Sequence, residues 1–266
     1  MFAIIRNRLT LSRLKIVASR SCEALVFTLA LATCLPTDLP AWQKDKHMDS
    51  MPGMDMSGKH EVGEMGPSMA AMAGHMIMTN LRPQQPGDEE KVKIVIAEAK
   101  ALMVRYEDYR KALADGYFIA NPKAEQLQYH FMNKANDLAA DESFDPAKPT
   151  ALLYRKTPRK MYKLEGVMYT ARVLASEDEL NQRLPLSIVR WHQHTNFCVA
   201  PADRAKEYLG AHPKFGMFGS IKTKEACDAA RGNFFPYMFN WMVHVFPFEK
   251  DYKDIFSMND DVPHVH

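Results

Sequence analysis

The sequence lacks an excess of charge, long apolar runs and a large number of cysteines. Its 266 residues carry 34 basic and 32 acidic side chains, a formal net charge of +2. This balance provides no basic surface for nucleic acid, so we expect no nucleic-acid partner. The 12 glycines and 16 prolines are ordinary for this length and exclude collagen-like and fully disordered classes. A chain of this length forms one large domain, or one domain with tails, and buries a sizeable core.

The one clear apolar run, residues 24–35, is short and ends at Pro36. It follows residues 1–20, which contain five basic side chains and no acidic one. Such a run is too short to span a bilayer comfortably but suits the core of a signal peptide. We therefore predict a signal peptide over residues 1–41, cleaved after Ala41, and a periplasmic or secreted protein that meets the membrane only through this export signal. The alternative is a lipid-anchored or signal-anchored form, because residues 31–34 (LATC) nearly match a lipoprotein signal.

Cysteine is scarce, with four in the whole chain. Cleavage would remove two of them together with five basic and two acidic side chains, which leaves Cys198, Cys227 and a net charge of −1. An even pair in an oxidising compartment predicts a disulfide bond. Closing this loop would stabilise the fold by about 3 kcal/mol through the entropy of the unfolded chain. Two buried free thiols are the alternative.

Methionine is abundant and unevenly placed: nine of the 18 lie between Met48 and Met78. Residues 42–87 show no apolar periodicity, so we predict a disordered Met/His-rich arm. Thioether sulfur is a soft ligand that selects Cu(I), and the arm resembles the Met/His-rich tracts of bacterial periplasmic copper-handling proteins. Its candidate soft-metal ligands are His47, Met48, Met51, Met54, Met56 and His60. A spacer in which these residues have no role is the alternative.

Beyond the arm, the apolar pattern changes from a helical period to a strand period. Apolar residues at three- and four-residue steps predict a helix from about Asp88 to Asp115. Short strands follow, and a capping box that starts at Ser176 predicts a short helix between them. The predicted strands are 151–154, 164–173, 186–198 and 239–248. This order predicts an α+β fold over residues 88–260, with the long N-terminal helix packed on an antiparallel β-sheet and a flexible tail at 261–266.

Histidines beside aromatic residues provide the candidate site. His192 and His194 are two residues apart on a predicted strand, so both point to the same face. If the strand carrying His244 lies beside theirs, three imidazoles converge, and His130 could be a fourth ligand. Such sites suit Zn, Cu, Fe or Ni, and we favour copper over zinc. The predicted metal ligands are therefore His130, His192, His194 and His244.

Three kinds of residue near the strand histidines are also weighed as accessory groups: two asparagines, the tail histidines and Glu165. Asn133 and Asn196 could orient an imidazole through a hydrogen bond, although local turn capping is an equal alternative. The tail residues His264 and His266 form a further weak chelating group. Glu165 receives no role, because it is three residues from Met168 and should face the opposite side of its strand unless a bulge intervenes.

Residues 129–260 resemble a widespread family of uncharacterised exported bacterial proteins. The residues that carry this resemblance are the blocks 129–133, 144–154, 164–169, 190–198 and 241–248. The resemblance implies a shared site but names no reaction. It also implies that many relatives have Glu where this chain has Met168. A thioether at that position disfavours hydrolytic chemistry and favours copper, which makes Met168 a possible accessory ligand.

Three functions fit these patterns. The leading hypothesis is an exported metal-binding protein whose strand histidines hold the ion, while the arm captures or passes it. Nucleotide loops, nucleophile elbows and His-Glu-x-x-His helices are missing from the sequence, so the common enzyme signatures are absent and catalysis stays undecided. The first alternative is a metalloenzyme with a His-ligated Zn, Cu or Fe and an open coordination position. The second is a small-ligand pocket lined by Trp191, Trp241, Phe246 and Tyr169.

Overall fold

The computed structural model describes residues 70–159 and 161–264. The strands of this part are β1 (Met76–Met78), β2 (Phe118–Ile119), β3 (Tyr129–Met132), β4 (Ala151–Lys156), β5 (Tyr162–Ala171), β6 (His192–Val199), β7 (Asn233–Tyr237) and β8 (Trp241–Val245). The helices are α1 (Asp88–Arg105), α2 (Tyr109–Ala114), α3 (Lys134–Glu142), α4 (Glu177–Arg183), α5 (Lys224–Ala229) and α6 (Tyr252–Ile255), with a 3-10 helix at Ala202–Tyr208. The predicted signal peptide and the arm ligands His47, Met48, Met51, Met54, Met56 and His60 lie outside the described residues.

The described strands form an eight-stranded antiparallel sheet. The predicted α+β class with an antiparallel sheet is therefore confirmed. The strand order is β1-β6-β8-β5-β4-β3-β2, and β7 pairs with β6. In the register, Met168 on β5 lies opposite His244 on β8, and Met242 on β8 lies opposite His192 on β6. The strands that carry the last three candidate histidines are therefore neighbours, although their sequences are far apart.

Helix α1 covers one face of the sheet. Three acidic residues occupy its first turn, where the positive end of the helix dipole favours them. Its buried side chains, which include Val92, Ala99 and Met103, pack with the aromatic and branched residues of β3, β4, β5 and β8 in the main core. The opposite face of the sheet carries the histidines, so α1 and the candidate ligands lie on different sides of the sheet.

The predicted single helix from Asp88 to Asp115 is wrong at residues 106–108, where the structure divides it into two helices. Helix α1 ends at Arg105, and α2 starts after Asp108, whose carboxylate accepts a hydrogen bond from the backbone N–H of Arg110. Asp108 takes an extended backbone conformation as the N-cap, and this interrupts the helical path. Local capping therefore outweighs the apolar period in this segment.

The predicted boundary between arm and domain also needs correction. Within the arm, residues 76–78 form β1, which pairs with His192 to His194 of β6. His75 holds this strand in place, because its Nδ1 lies 3.0 Å from the carbonyl oxygen of Asn196 and its Nε2 lies 2.7 Å from that of Gly219. The folded domain thus includes the end of the Met-rich segment. Burial of its methionines on the sheet stabilises this strand, although the segment has no apolar periodicity.

A bulge in β5 changes which residues face the histidines. Leu153 pairs with Gly166, whereas the next residue, Tyr154, pairs with Leu164, so Glu165 is the extra residue. The bulge places Glu165 beside Arg155. Because of this bulge, the carboxylate of Glu165 lies on the same face of the sheet as Met168 and not on the opposite one.

Other local predictions have mixed outcomes. Cys198 and Cys227 form the predicted disulfide bond, and the capping box at Ser176 is confirmed. The strand predicted from 186 is wrong before His192, because residues 185–189 form a turn closed by hydrogen bonds to the carbonyl of Pro185. The predicted flexible tail is wrong for His264, which is buried and stacked on Phe246. None of the described helices is both long and apolar enough to cross a membrane.

Candidate functional site

The four candidate histidines lie close together on the face of the sheet opposite α1. The ring centroids are 5.6 Å apart for His192 and His194, 5.3 Å for His192 and His244, and 5.7 Å for His130 and His244. Strands β6 and β8 supply the first three rings and β3 supplies the fourth. The structure therefore brings together every histidine that the sequence nominated as a strand ligand.

Burial leaves many polar atoms of this cluster unpaired. His192, His194 and His244 are all nearly inaccessible to solvent. Among the described residues, no hydrogen-bond partner is found for either ring nitrogen of His192 and His244 or for Nδ1 of His194. A buried polar group without a partner costs about 1–3 kcal/mol, and native proteins keep few of them. Five such nitrogens in one place call for a ligand that binds imidazole nitrogen.

The ring spacing agrees with ligation of one ion. With a metal–nitrogen distance of about 2.0–2.1 Å, two imidazoles at a tetrahedral angle have ring centroids about 5.2 Å apart. The three measured spacings are 5.3, 5.6 and 5.7 Å. Among the described residues, no three His, Cys, Asp or Glu side chains are already arranged as a metal site. Ligation would thus require these side chains to move from the positions that they have in the structure.

The surroundings of His130, His192 and His194 keep these imidazoles neutral, which is the form that binds metal. Burial, with a smaller contribution from the charge of His244, lowers the pKa of His130 from 6.5 to about 4. The same two causes, together with the charge of His130, lower the pKa of His194 to about 4. Burial lowers the pKa of His192 well below its ordinary value. Each of these three imidazoles therefore has one ring nitrogen available as an electron-pair donor across the physiological pH range.

Asp260 completes the cluster and was missed by the sequence reasoning. Its Oδ1 lies 3.4 Å from Nδ1 of His244 and has no hydrogen-bond partner among the described residues. Burial alone would raise the pKa of Asp260, but its electrostatic attraction to the neighbouring His244 and His130 lowers the pKa overall. Asp260 stands in no strand pattern, so its only sequence signal was its position at the end of the family-like region.

Methionine side chains border the imidazoles. Directly paired residues on antiparallel strands point to the same face. The strand register therefore places Met168 beside His244, and both Met78 and Met242 beside His192. Met168 is buried and packs with Met242 and Phe246. The predicted accessory residue thus lies next to a candidate ligand.

Two predicted accessory residues have other contacts. The side-chain oxygen of Asn133 accepts hydrogen bonds from the N–H groups of Ala135 and Asn136, so the capping alternative holds for Asn133. The amide of Asn196 donates to the carbonyl oxygen of Gly74. In the tail, both ring nitrogens of His264 have partners, the carboxylate of Glu249 and the carbonyl oxygen of Asn259. His264 therefore serves the structure of the tail, and His266 lies outside the described residues.

The aromatic pocket proposed as the third function is not formed by its four residues. Trp191, Trp241 and Tyr169 pack in the main core under α1, whereas Phe246 packs on the histidine face. Successive residues of a strand point to opposite faces, which separates these side chains. Comparison with known proteins found no protein-family model, curated protein or solved structure that matches this chain. The family resemblance therefore stays a prediction.

Proposed function

We propose that this chain is an exported metal-binding protein whose folded domain holds a transition-metal ion, copper in preference to zinc. His192, His194 and His244 are the principal ligands, and His130 and Asp260 complete the site. The observation that carries the proposal is the group of buried imidazole nitrogens without hydrogen-bond partners among the described residues. An ion at their centre would satisfy several of these nitrogens at once.

The thioethers around the imidazoles support copper over zinc. Imidazole binds both metals, but thioether sulfur selects Cu(I). Met168 is paired with His244, and Met242 with His192, so sulfur lies within the same layer of side chains as the nitrogens. Zinc sites, by contrast, combine imidazole with thiolate or carboxylate and do not use methionine.

The disulfide bond supports export. Such bonds persist in oxidising compartments and are rare in the reducing cytosol. Cys198 and Cys227 are both fully buried, so their bond is part of the core rather than a surface feature. Together with the basic and apolar start of the chain, this favours a periplasmic or secreted protein, with the Met/His-rich arm collecting the ion.

Metal analysis of the untagged protein tests the proposal. The full chain is loaded separately with Cu(I), Cu(II) and Zn(II), dialysed, and analysed for bound metal by mass spectrometry. To exclude the arm, a weak competing chelator is added at increasing concentration, and the tightest site is assigned from variants. We expect His192→Ala with His194→Ala to abolish that site, because removing two of three principal ligands should weaken binding by more than about a hundredfold.

The control is His212→Ala, because His212 is exposed and outside the cluster. It should bind as the wild type does. Circular dichroism must show that the double variant is folded. An unchanged tight site in the folded double variant would refute the assignment of these ligands.

A second candidate function is a metalloenzyme, and the position of Asp260 favours it. The Asp260 side chain is 17% exposed beside a nearly buried His244, so it borders solvent at the edge of the site. A carboxylate in that position could accept a proton from a metal-bound water. In the copper-loaded sample, an exchangeable water detected by electron spin echo spectroscopy would favour the enzyme, and a saturated ion would favour the carrier.

A further inference from the structure

A buried cluster of methionines lies beside the imidazole site. Among the described residues, every apolar member of this cluster is methionine: Met72, Met76, Met78 and Met258, with the partly buried Met217 packed against them. They come from β1 and the turn before it, from the loop before α5 and from the segment after α6. Three distant parts of the chain therefore contribute the same side chain to one place.

Ordinary packing does not require this composition. The main core under α1 is built from aromatic, branched and alanine side chains and contains Met103 as its one methionine among the described residues. Methionine is flexible and specifies a packing arrangement less well than leucine or isoleucine. Five thioethers together instead resemble a set of soft ligands, each able to turn its sulfur toward a common point.

The cluster is anchored and lies beside a cleft. The ring of His75 lies within hydrogen-bond distance of two backbone carbonyl oxygens, and this contact fixes the start of β1, which carries Met76 and Met78. A cleft of about 320 Å³ has Met78 and Met258 in its wall. Met78 is also paired with His192, so it borders the cleft and the imidazole site together.

We propose that this methionine cluster, Met72, Met76, Met78, Met217 and Met258, binds a soft monovalent metal ion, Cu(I), that enters through the cleft. The binding step is simple coordination by thioether sulfur and requires no redox change. The cluster would act as the entrance to the imidazole site, and this part of the inference rests on the proposed function. Binding of the ion by the methionine sulfurs does not depend on the proposed function.

Nuclear magnetic resonance of methionine methyl groups tests the cluster residue by residue. The full chain is labelled with ¹³C at the methionine methyls and titrated with Ag(I), a soft ion that stays monovalent. Single Met→Leu substitutions assign the signals. We expect the methyl signals of the five cluster residues to shift on silver binding, whereas that of the buried Met103 should not move.

Matched variants separate binding from packing. Met→Leu conserves volume, so Met78→Leu with Met258→Leu should leave the protein folded. We expect the silver concentration that half-saturates Met72, Met76 and Met217 to rise by at least about tenfold, equal to about 1.4 kcal/mol. Met103→Leu should leave that concentration unchanged. Cluster methyls that stay unshifted in the wild type at excess silver, or an equal effect of Met103→Leu, would overturn the inference.

The double variant His192→Ala with His194→Ala distinguishes the two proposals. Cluster shifts should persist in it, because the sulfurs bind the ion without the imidazoles. If copper binding at the imidazoles fails in the wild type while these shifts remain, the proposed function falls and the methionine site stands. Loss of the cluster shifts in this folded variant would show that the methionines do not form a site of their own.

Discussion

At the scale of single residues, the absence of a side chain at Gly166 shapes the site. A Cβ at this position would lie 2.6 Å from the carbonyl oxygen of Val245 and 2.7 Å from the ring of Phe246. Phe246 stacks on His264, with ring centroids 3.4 Å apart. The space at Gly166 therefore allows Phe246 and the chain end behind it to pack against the sheet next to His244.

Gly166→Ala should disturb both stability and metal binding. The added methyl group overpacks the site, so we expect the free energy of unfolding in urea to fall by about 1–3 kcal/mol. The ring of Phe246 must move, and His244 lies on the same strand face two residues away, so copper affinity should fall as well. Affinity is measured by competition with a chelator of known strength.

Gly210→Ala is the control for this prediction. Gly210 has φ +98° and no heavy atom within 4 Å of its missing Cβ, so substitution there costs backbone strain but no overpacking. It should destabilise the fold and leave copper affinity unchanged. If both variants retain wild-type affinity, Phe246 does not position the site.

The sequence identified the site residues that follow a periodic pattern and missed the one that does not. His192 and His194 share a face because they are two residues apart on β6, and this holds for any strand that contains both. Asp260 reaches His244 only because the chain folds back after α6. A contact of this kind depends on tertiary structure, and local spacing carries no information about it.

At the scale of elements, a buried ion pair holds the segment that delivers Asp260. We name residues 257–264 the C-terminal strap. Arg155 on β4 donates from Nε to both carboxylate oxygens of Glu165, at 2.9 and 3.0 Å. Its terminal nitrogen also donates to the carbonyl oxygens of Asp260 and Val262. One guanidinium therefore connects the bulge of β5 to the strap.

Arg155→Lys should loosen the strap and leave the sheet intact. Lysine keeps the charge opposite Glu165 but lacks the planar fork that reaches the carboxylate and the two carbonyls together. We expect faster amide hydrogen exchange in the strap and a loss of copper affinity of about tenfold, or 1.4 kcal/mol. Mass spectrometry of exchanged peptides measures the first effect, and chelator competition measures the second.

The matched control is Arg110→Lys, whose partner Asp108 lies in an exposed ion pair. Exposed pairs contribute little, so neither exchange nor affinity should change. Wild-type affinity in Arg155→Lys, with a strap that exchanges faster, would show that Asp260 is not part of the metal site.

Elements were predictable where the local pattern and the tertiary contacts agree. The strands around 151–154 and 164–173 and the capping box at Ser176 follow local rules and are present. The break between α1 and α2 and the bulge at Glu165 are absent from the apolar pattern. Both depend on one polar side chain whose contacts decide the backbone path, Asp108 for the break and Glu165 for the bulge.

At the scale of the whole molecule, the two faces of the sheet differ in composition and in their effect on stability. The face under α1 is an apolar core that stabilises the fold. The other face buries imidazoles and a carboxylate beside methionines, and the unpaired polar atoms of these imidazoles and this carboxylate reduce stability unless something binds them. A protein selected for stability alone would fill this face with apolar side chains, so its composition indicates that binding compensates for the cost.

This arrangement predicts that acid destabilises the metal-free protein. The pKa values of His130 and His194 are about 4 in the folded state, and that of His192 is well below the ordinary 6.5. Below pH 6.5 the unfolded chain binds protons at these positions while the folded chain does not. Their contribution is therefore complete above that pH and is lost as the pH falls toward 4, by up to about 1.4 kcal/mol per pH unit for each histidine.

Urea unfolding of the chelator-treated protein between about pH 7 and about pH 5 measures this loss, since histidine titrates in this range. To isolate the contribution of two of these histidines, His192→Gln with His194→Gln is compared with the wild type. The variant should show a shallower decline in the free energy of unfolding, because two of the buried groups that resist protonation are gone. Equal slopes would mean that these imidazoles accept protons in the folded state. Saturating copper should raise the wild-type curve between about pH 7 and about pH 5 without changing its slope, because neither the metal-bound nor the buried metal-free imidazoles bind protons in the folded state over this range.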